Sequence, residues 1–112
     1  MALPPRIKRK SDKADAGKRS PAHRAWVRGH ACCIPGCTAM PIECAHVRRA
    51  NNSGTGFKPS DAFTVSLCRD HHQESHRGDQ TFERKYGLDL MALAQEFYLK
   101  SPHRQKLENP YV

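Results

Sequence analysis

The run LCRDHHQESH, residues 67–76, places Cys68, His71, His72 and His76 within ten residues. If the run is helical, residues three or four apart share a face. Cys68 then sits with His71 and His72, and His72 sits with His76 one turn on. His71 and His72 are neighbours and diverge by about 100°, so one short helix can serve two different sites.

Upstream, HACCIPGCTAMPIECAHVRRA supplies the complementary groups. Cys32, Cys33 and Cys37 flank Ile34-Pro35-Gly36, a turn sequence that folds the chain back as a knuckle. Cys37 lies four residues after Cys33 and five after Cys32, and either spacing fits a zinc loop. Residues 41–48 read as a strand, with Ile42, Cys44 and His46 on one face and Glu43, Ala45 and Val47 on the other. A second strand runs from Phe63 to Leu67, with Phe63, Val65 and Leu67 alternating. Two sites follow from this order. Cys33 (or Cys32), Cys37, Cys68 and His71 form a thiolate–imidazole set suited to a structural Zn2+. His46, His72 and His76 form a second pocket, in which the helical pair binds a divalent ion, Mg2+ or Mn2+ before Zn2+, and neutral His46 takes a proton from water. Cys44 is an alternative zinc ligand, though its place on the strand favours a core role; His23, His30 and His103 fall outside both sites.

The flanks are simpler. Ser20-Pro21 is an N-cap followed by proline at the first helical position, and that helix stops at Gly29. Trp26, the sole tryptophan, reads as a plug over the zinc site. Past Gly78, Asp79 caps a helix through Tyr86 with Gly87 as its stop. Asp89 caps a second helix, residues 90–100, whose Leu90, Leu93, Ala94 and Phe97 line one face. Residues 1–19 read as a disordered basic arm and residues 102–112 as a flexible tail, leaving one domain over residues 20–101.

At 112 residues and 38% hydrophobic content the core is thin, and chains of this size need staples. Five cysteines, an odd number, beside clustered histidines favour metal binding over disulfides, in a reducing, cytoplasmic setting. No apolar run is long enough to span a membrane. The net charge is +8 and the pI about 9.6. Residues 1–30 carry nine Lys or Arg against two Asp, so seven of those eight charges lie in the first quarter. A basic arm holding Arg6, Lys8, Arg9 and Lys10 is the footprint of a phosphate-backbone partner, here DNA.

A strand bearing a histidine, a loop, a second strand, then LC-x-x-HH on a helix resembles the core of the HNH endonucleases. The resemblance covers about residues 30–100. It implies an α+β fold: a small, zinc-stabilised ββα-metal core (HNH, or His-Me finger) at about 41–78 with flanking helices. It further implies DNA phosphodiester hydrolysis, with His46 as general base and His72 and His76 as metal ligands. Ala45-His46 and the loop GTGFKPSD, residues 54–61, are similar to small phage and prophage HNH nucleases associated with recombination, including the RecA-dependent type, which implies a RecA-type filament as partner. Two departures stand out. Ala45 occupies a position where the family often has a metal-binding Asp or His. Either water fills that place, or His46 is itself a ligand and another group is the base. No Asn precedes Val65, and Asp61 is its substitute for orienting His46, with Asn51 and Asn52 as alternatives. Arg48 and Lys58 are placed to hold the scissile phosphate. Against the nuclease stands a zinc-stabilised DNA-binding module without hydrolysis; metal-dependent cleavage of plasmid, lost in His46→Ala, separates the two.

Overall fold

Two five-residue strands paired antiparallel carry the molecule, with helices against both faces. In the computed structural model, which describes residues 2–4, 17–49 and 59–111, the order is α1 (Pro21–Arg28), β1 (Ile42–His46), β2 (Thr64–Cys68), α2 (Arg69–Ser75), α3 (Asp79–Tyr86) and α4 (Leu90–Lys100), closed by a 3-10 turn at Arg104–Lys106. This is a small α+β fold. The strand register pairs Ile42 with Cys68, Cys44 with Ser66 and His46 with Thr64. His46 and Cys68 therefore lie at opposite ends of the ribbon.

Local chemistry explains most of the boundaries. The Ser20 hydroxyl accepts from the His23 amide and Pro21 opens α1, where its missing N–H costs nothing. The Asp89 carboxylate caps α4 through the Ala92 amide. Gly87 ends α3 at φ 66°, ψ 38°, the left-handed conformation that glycine adopts most cheaply. Asp79 does not cap α3 as expected. Gly78 holds that position, and Asp79 sits in the first turn, where its carboxylate accepts from Arg49 at 2.8 Å.

The second strand was expected to alternate, yet all five of its residues are buried. Helix α1 covers one face and α4 the other, so neither face meets water. The main core gathers Ile34, Ile42, Ala45, Val47, Val65, Leu67, Phe82, Leu90 and Ala94. Thr64 and Ser66, on the α1 side, are satisfied polar residues. The Thr64 hydroxyl donates to the Asp61 carbonyl at 2.8 Å, and that of Ser66 to the Ala31 carbonyl at 2.7 Å.

Residues 17–19 and 103–111, expected to lie in a disordered arm and a flexible tail, pack on the core. The Asp61 amide donates to the Lys18 carbonyl at 2.8 Å and the Glu108 amide to the Gly17 carbonyl at 2.9 Å. Leu107 is buried against Ala62 and Tyr98, and the Tyr111 hydroxyl donates to the Ala62 carbonyl at 2.7 Å. Residues 17–19 and 103–111 thus pack around the turn that carries Asp61, because Ala62 and Phe63 there need apolar cover. Arg6, Lys8, Arg9, Lys10, Asn51, Asn52 and Lys58 lie outside the described residues. Among the described residues, no helix is long and apolar enough to cross a membrane.

Candidate functional site

The first site forms where the knuckle meets the start of α2. Pro35 and Gly36, the latter at φ 79°, occupy the two middle positions of a type II turn, and the Cys37 amide closes it on the Ile34 carbonyl at 3.0 Å. Across from it, Cys68 is the N-cap of α2 and its sulfur accepts from the His71 amide. His71 Nδ1 lies 3.4 Å from Cys32 Sγ, 3.5 Å from Cys37 Sγ and 3.2 Å from Cys68 Sγ; Cys37 and Cys68 sulfurs are 3.9 Å apart. A tetrahedral zinc with bonds of about 2.3 Å to sulfur and 2.0 Å to nitrogen places a sulfur and a nitrogen about 3.5 Å apart and two sulfurs about 3.8 Å apart. The four side chains therefore stand at coordination spacing. Among the described residues they are the one cluster of three or more Cys, His, Asp or Glu side chains spaced to hold a metal ion, and three thiolates with an imidazole is a set zinc prefers.

Cys32, not Cys33, completes this set. Adjacent residues in extended chain point to opposite sides, so only one of the pair can reach the ion. The Cys33 amide donates to the Ser66 carbonyl at 2.9 Å and its sulfur lies 3.5 Å from the Ser66 hydroxyl, which turns it toward β2 and away from the cluster. Burial pushes the Cys32 thiol up to about 11, whereas the Ala39 backbone lowers that of Cys37. Coordination requires thiolates, so filling the site releases protons and weakens in acid. The rings covering His71 are Tyr86 at 5.3 Å and Phe82 at 6.4 Å between centroids. Trp26 is elsewhere: it packs edge-on against Phe97 at 5.9 Å and His30 at 4.5 Å. It does not plug the ligand cluster, because its ring neighbours are His23, His30 and Phe97.

The second site is an open cleft of about 460 Å³ at the β1 edge. His72 turns away from its neighbour His71, as the helix geometry requires. His72 Nδ1 meets Glu43 Oε1 at 2.8 Å, and its Nε2 meets His76 Nε2 at 3.1 Å. His46 lines the same cleft, together with Arg24, Arg28 and Arg48. Its Nε2 is 2.8 Å from Asp61 Oδ1.

Asp61 is wholly buried. Its Oδ2 also accepts from the Ser20 amide at 2.8 Å and from Arg24 at 2.6 Å. Burial alone would raise its pKa; the hydrogen bonds from His46 and Ser20 and the Arg24 charge outweigh burial and hold the carboxyl below its ordinary value. An ionised carboxylate only accepts, so His46 Nε2 carries the hydrogen and a neutral ring leaves Nδ1 bare.

Of the residues named from the sequence, the structure brings His46, His72, His76 and Arg48 together on this cleft, with Asp61 behind His46. Sequence reasoning missed Glu43, assigned to the far face of the strand, and the pair Arg24 and Arg28. The i, i+4 spacing of those arginines marks a shared helix face and was the available signal. For Glu43 the signal was weaker, an acid on the edge strand. Ala45 is buried in the core and offers nothing to the cleft.

The fold and the cysteine cluster define a small α+β protein stapled by a candidate structural metal site. The chain belongs to the family described as Protein of unknown function (DUF968), which matches residues 8–109. It is also similar to the Uncharacterized protein YdfU of Escherichia coli K12, 38% identical over 66 residues. That match covers 58% of this chain and 18% of the relative, so the chain spans less than a fifth of that protein's length. No solved structure matches.

Proposed function

We propose that the cleft hydrolyses DNA phosphodiester bonds, making the chain a metal-dependent endonuclease whose strand–strand–helix core is of the ββα-metal type its sequence resembles. The observation that carries this reading is the convergence on one arginine-lined cleft of the His46–Asp61 dyad and the His72–His76 pair.

In this reading Asp61 holds the His46 tautomer, leaving Nδ1 to accept a proton from the attacking water. The buried carboxylate then stabilises the imidazolium that results, as the acid of a hydrolase triad does. His72 and His76 hold a divalent ion, which when bound neutralises charge on the phosphate and the departing oxygen. Arg28 and Arg48 sit on the cleft wall to meet the phosphate. In this reading Asp61 orients His46, and among the described residues Glu43 is the carboxylate that lines the cleft. The basic arm, Arg6, Lys8, Arg9 and Lys10, adds affinity for the DNA backbone, and Lys58 extends the phosphate contacts.

The test is incubation of supercoiled plasmid with zinc-loaded protein and divalent ions, with and without a RecA-type filament on single-stranded DNA. His46→Ala should lose about 10²–10⁴-fold in cleavage while retaining DNA binding. Binding without cleavage, for every ion and with the filament present, would leave a zinc-stabilised DNA-binding module instead.

A further inference from the structure

His72 is held at both ring nitrogens. Because Glu43 accepts at Nδ1, that nitrogen carries the hydrogen and Nε2 is bare, 3.1 Å from His76 Nε2. With metal–nitrogen bonds of about 2.1 Å, that separation subtends about 95° at a shared ion, the angle between neighbouring positions of an octahedron. Among the described residues, Glu43 is the one carboxylate on the cleft wall. Asp61 is buried and takes hydrogen bonds from Ser20, Arg24 and His46, and Glu43 is engaged by His72. Mg2+ is bound through carboxylate and phosphate oxygens, whereas imidazole nitrogen suits the later first-row ions.

Resting on the reading of this cleft as a metal-dependent nuclease, we infer that its ion is a later first-row divalent ion accepting imidazole in octahedral geometry, of the Co2+ or Ni2+ type. His72 and His76 chelate it through Nε2. Glu43 is a positioning residue that fixes the His72 ring, as carboxylates behind metal-bound histidines do.

The test uses tag-free protein carrying one Zn2+ in the cysteine cluster, titrated calorimetrically with NiCl2 and separately with MgCl2. Sulfur-to-nickel charge-transfer absorption reports any exchange at the cysteines. One Ni2+ per chain should bind at least about a hundredfold more tightly than Mg2+, without that absorption. His76 is exposed, so His76→Ala leaves the fold intact, and it should weaken Ni2+ binding more than about tenfold, as should His72→Ala. Glu43→Ala should cost about 10–100-fold, while Glu43→Gln, whose amide oxygen still accepts from Nδ1, stays within a few-fold of the parent.

Mg2+ binding as tight as Ni2+, or Ni2+ affinity indifferent to His76→Ala, overturns the site. Equal losses in Glu43→Gln and Glu43→Ala overturn the positioning role, since the carboxylate itself would then be a ligand. Ni2+ bound as expected by a protein that cuts no DNA sustains the metal site and removes the nuclease. Cleavage driven by Mg2+ as well as by Ni2+ sustains the nuclease and overturns the choice of ion.

Discussion

Two cysteines side by side, Cys32 and Cys33, have opposite fates, and the difference is measurable. Cys32→Ser removes one of the four donors of the candidate metal site, which the remaining three cannot replace. It should abolish stoichiometric zinc by atomic absorption and cost the fold most of its thermal transition, because structural zinc supplies folding energy outright. Cys33→Ser should keep one zinc per chain and shift the melting temperature little, since a serine hydroxyl can still meet Ser66. Asp61 gives a second test. Its folded pKa lies below the ordinary aspartate value of 3.8, so its stabilisation is fully present above that value and is lost as pH falls through the folded pKa. Asp61→Asn should therefore destabilise the protein at pH 7, by about 3–5 kcal/mol for a broken buried ion pair. The gap to the parent should narrow in denaturant melts taken below about pH 4. A gap unchanged by pH would mean that the carboxylate charge contributes nothing.

Among the elements, the helices were the most legible, because their ends are written in residues that act within one turn. Ser20, Pro21, Gly87 and Asp89 do what their side chains or backbones permit nearly anywhere. At Gly87 an added Cβ meets nothing within 4 Å, so the cost of Gly87→Ala is backbone conformation alone, about 1–2 kcal/mol. Chemical denaturation should show that loss with zinc content unchanged; a neutral substitution would place the residue outside the left-handed region. The strands were less legible. β2 was read as alternating at Phe63, Val65 and Leu67, but Thr64 and Ser66 are buried too, Thr64 on the nearby Asp61 carbonyl and Ser66 on the distant Ala31 carbonyl. Whether a strand has one covered face or two depends on helices contributed from far along the chain.

At the scale of the whole molecule, residues 17–18 and 107–111 meet over one turn. Leu107 and Tyr111 cover Ala62, Phe63 and Tyr98, and Gly17 and Lys18 bind the backbone beside them. The turn they clasp is the one that aims Asp61 at His46. Deleting residues 102–112 should lower stability by about 3 kcal/mol from lost apolar burial, and should reduce any DNA cleavage further than it reduces zinc content. Equal activity per folded molecule after the deletion would show that the clasp does not position Asp61.

The sequence by itself determined what can be written within a few residues: the helix caps, the strand–loop–strand–helix order, the cysteine–histidine donor set, and the divergence of His71 from His72. Each follows from backbone periodicity and side-chain chemistry acting over one turn or one strand. Only the tertiary structure decided that Cys32 faces His71, that Glu43 backs His72, that Arg24 and Arg28 join Asp61 at the cleft, and that the tail folds over residue 62. Those contacts join residues roughly 30 to 50 positions apart. They are set by how the helices pack on a two-stranded sheet, a quantity that no local spacing encodes.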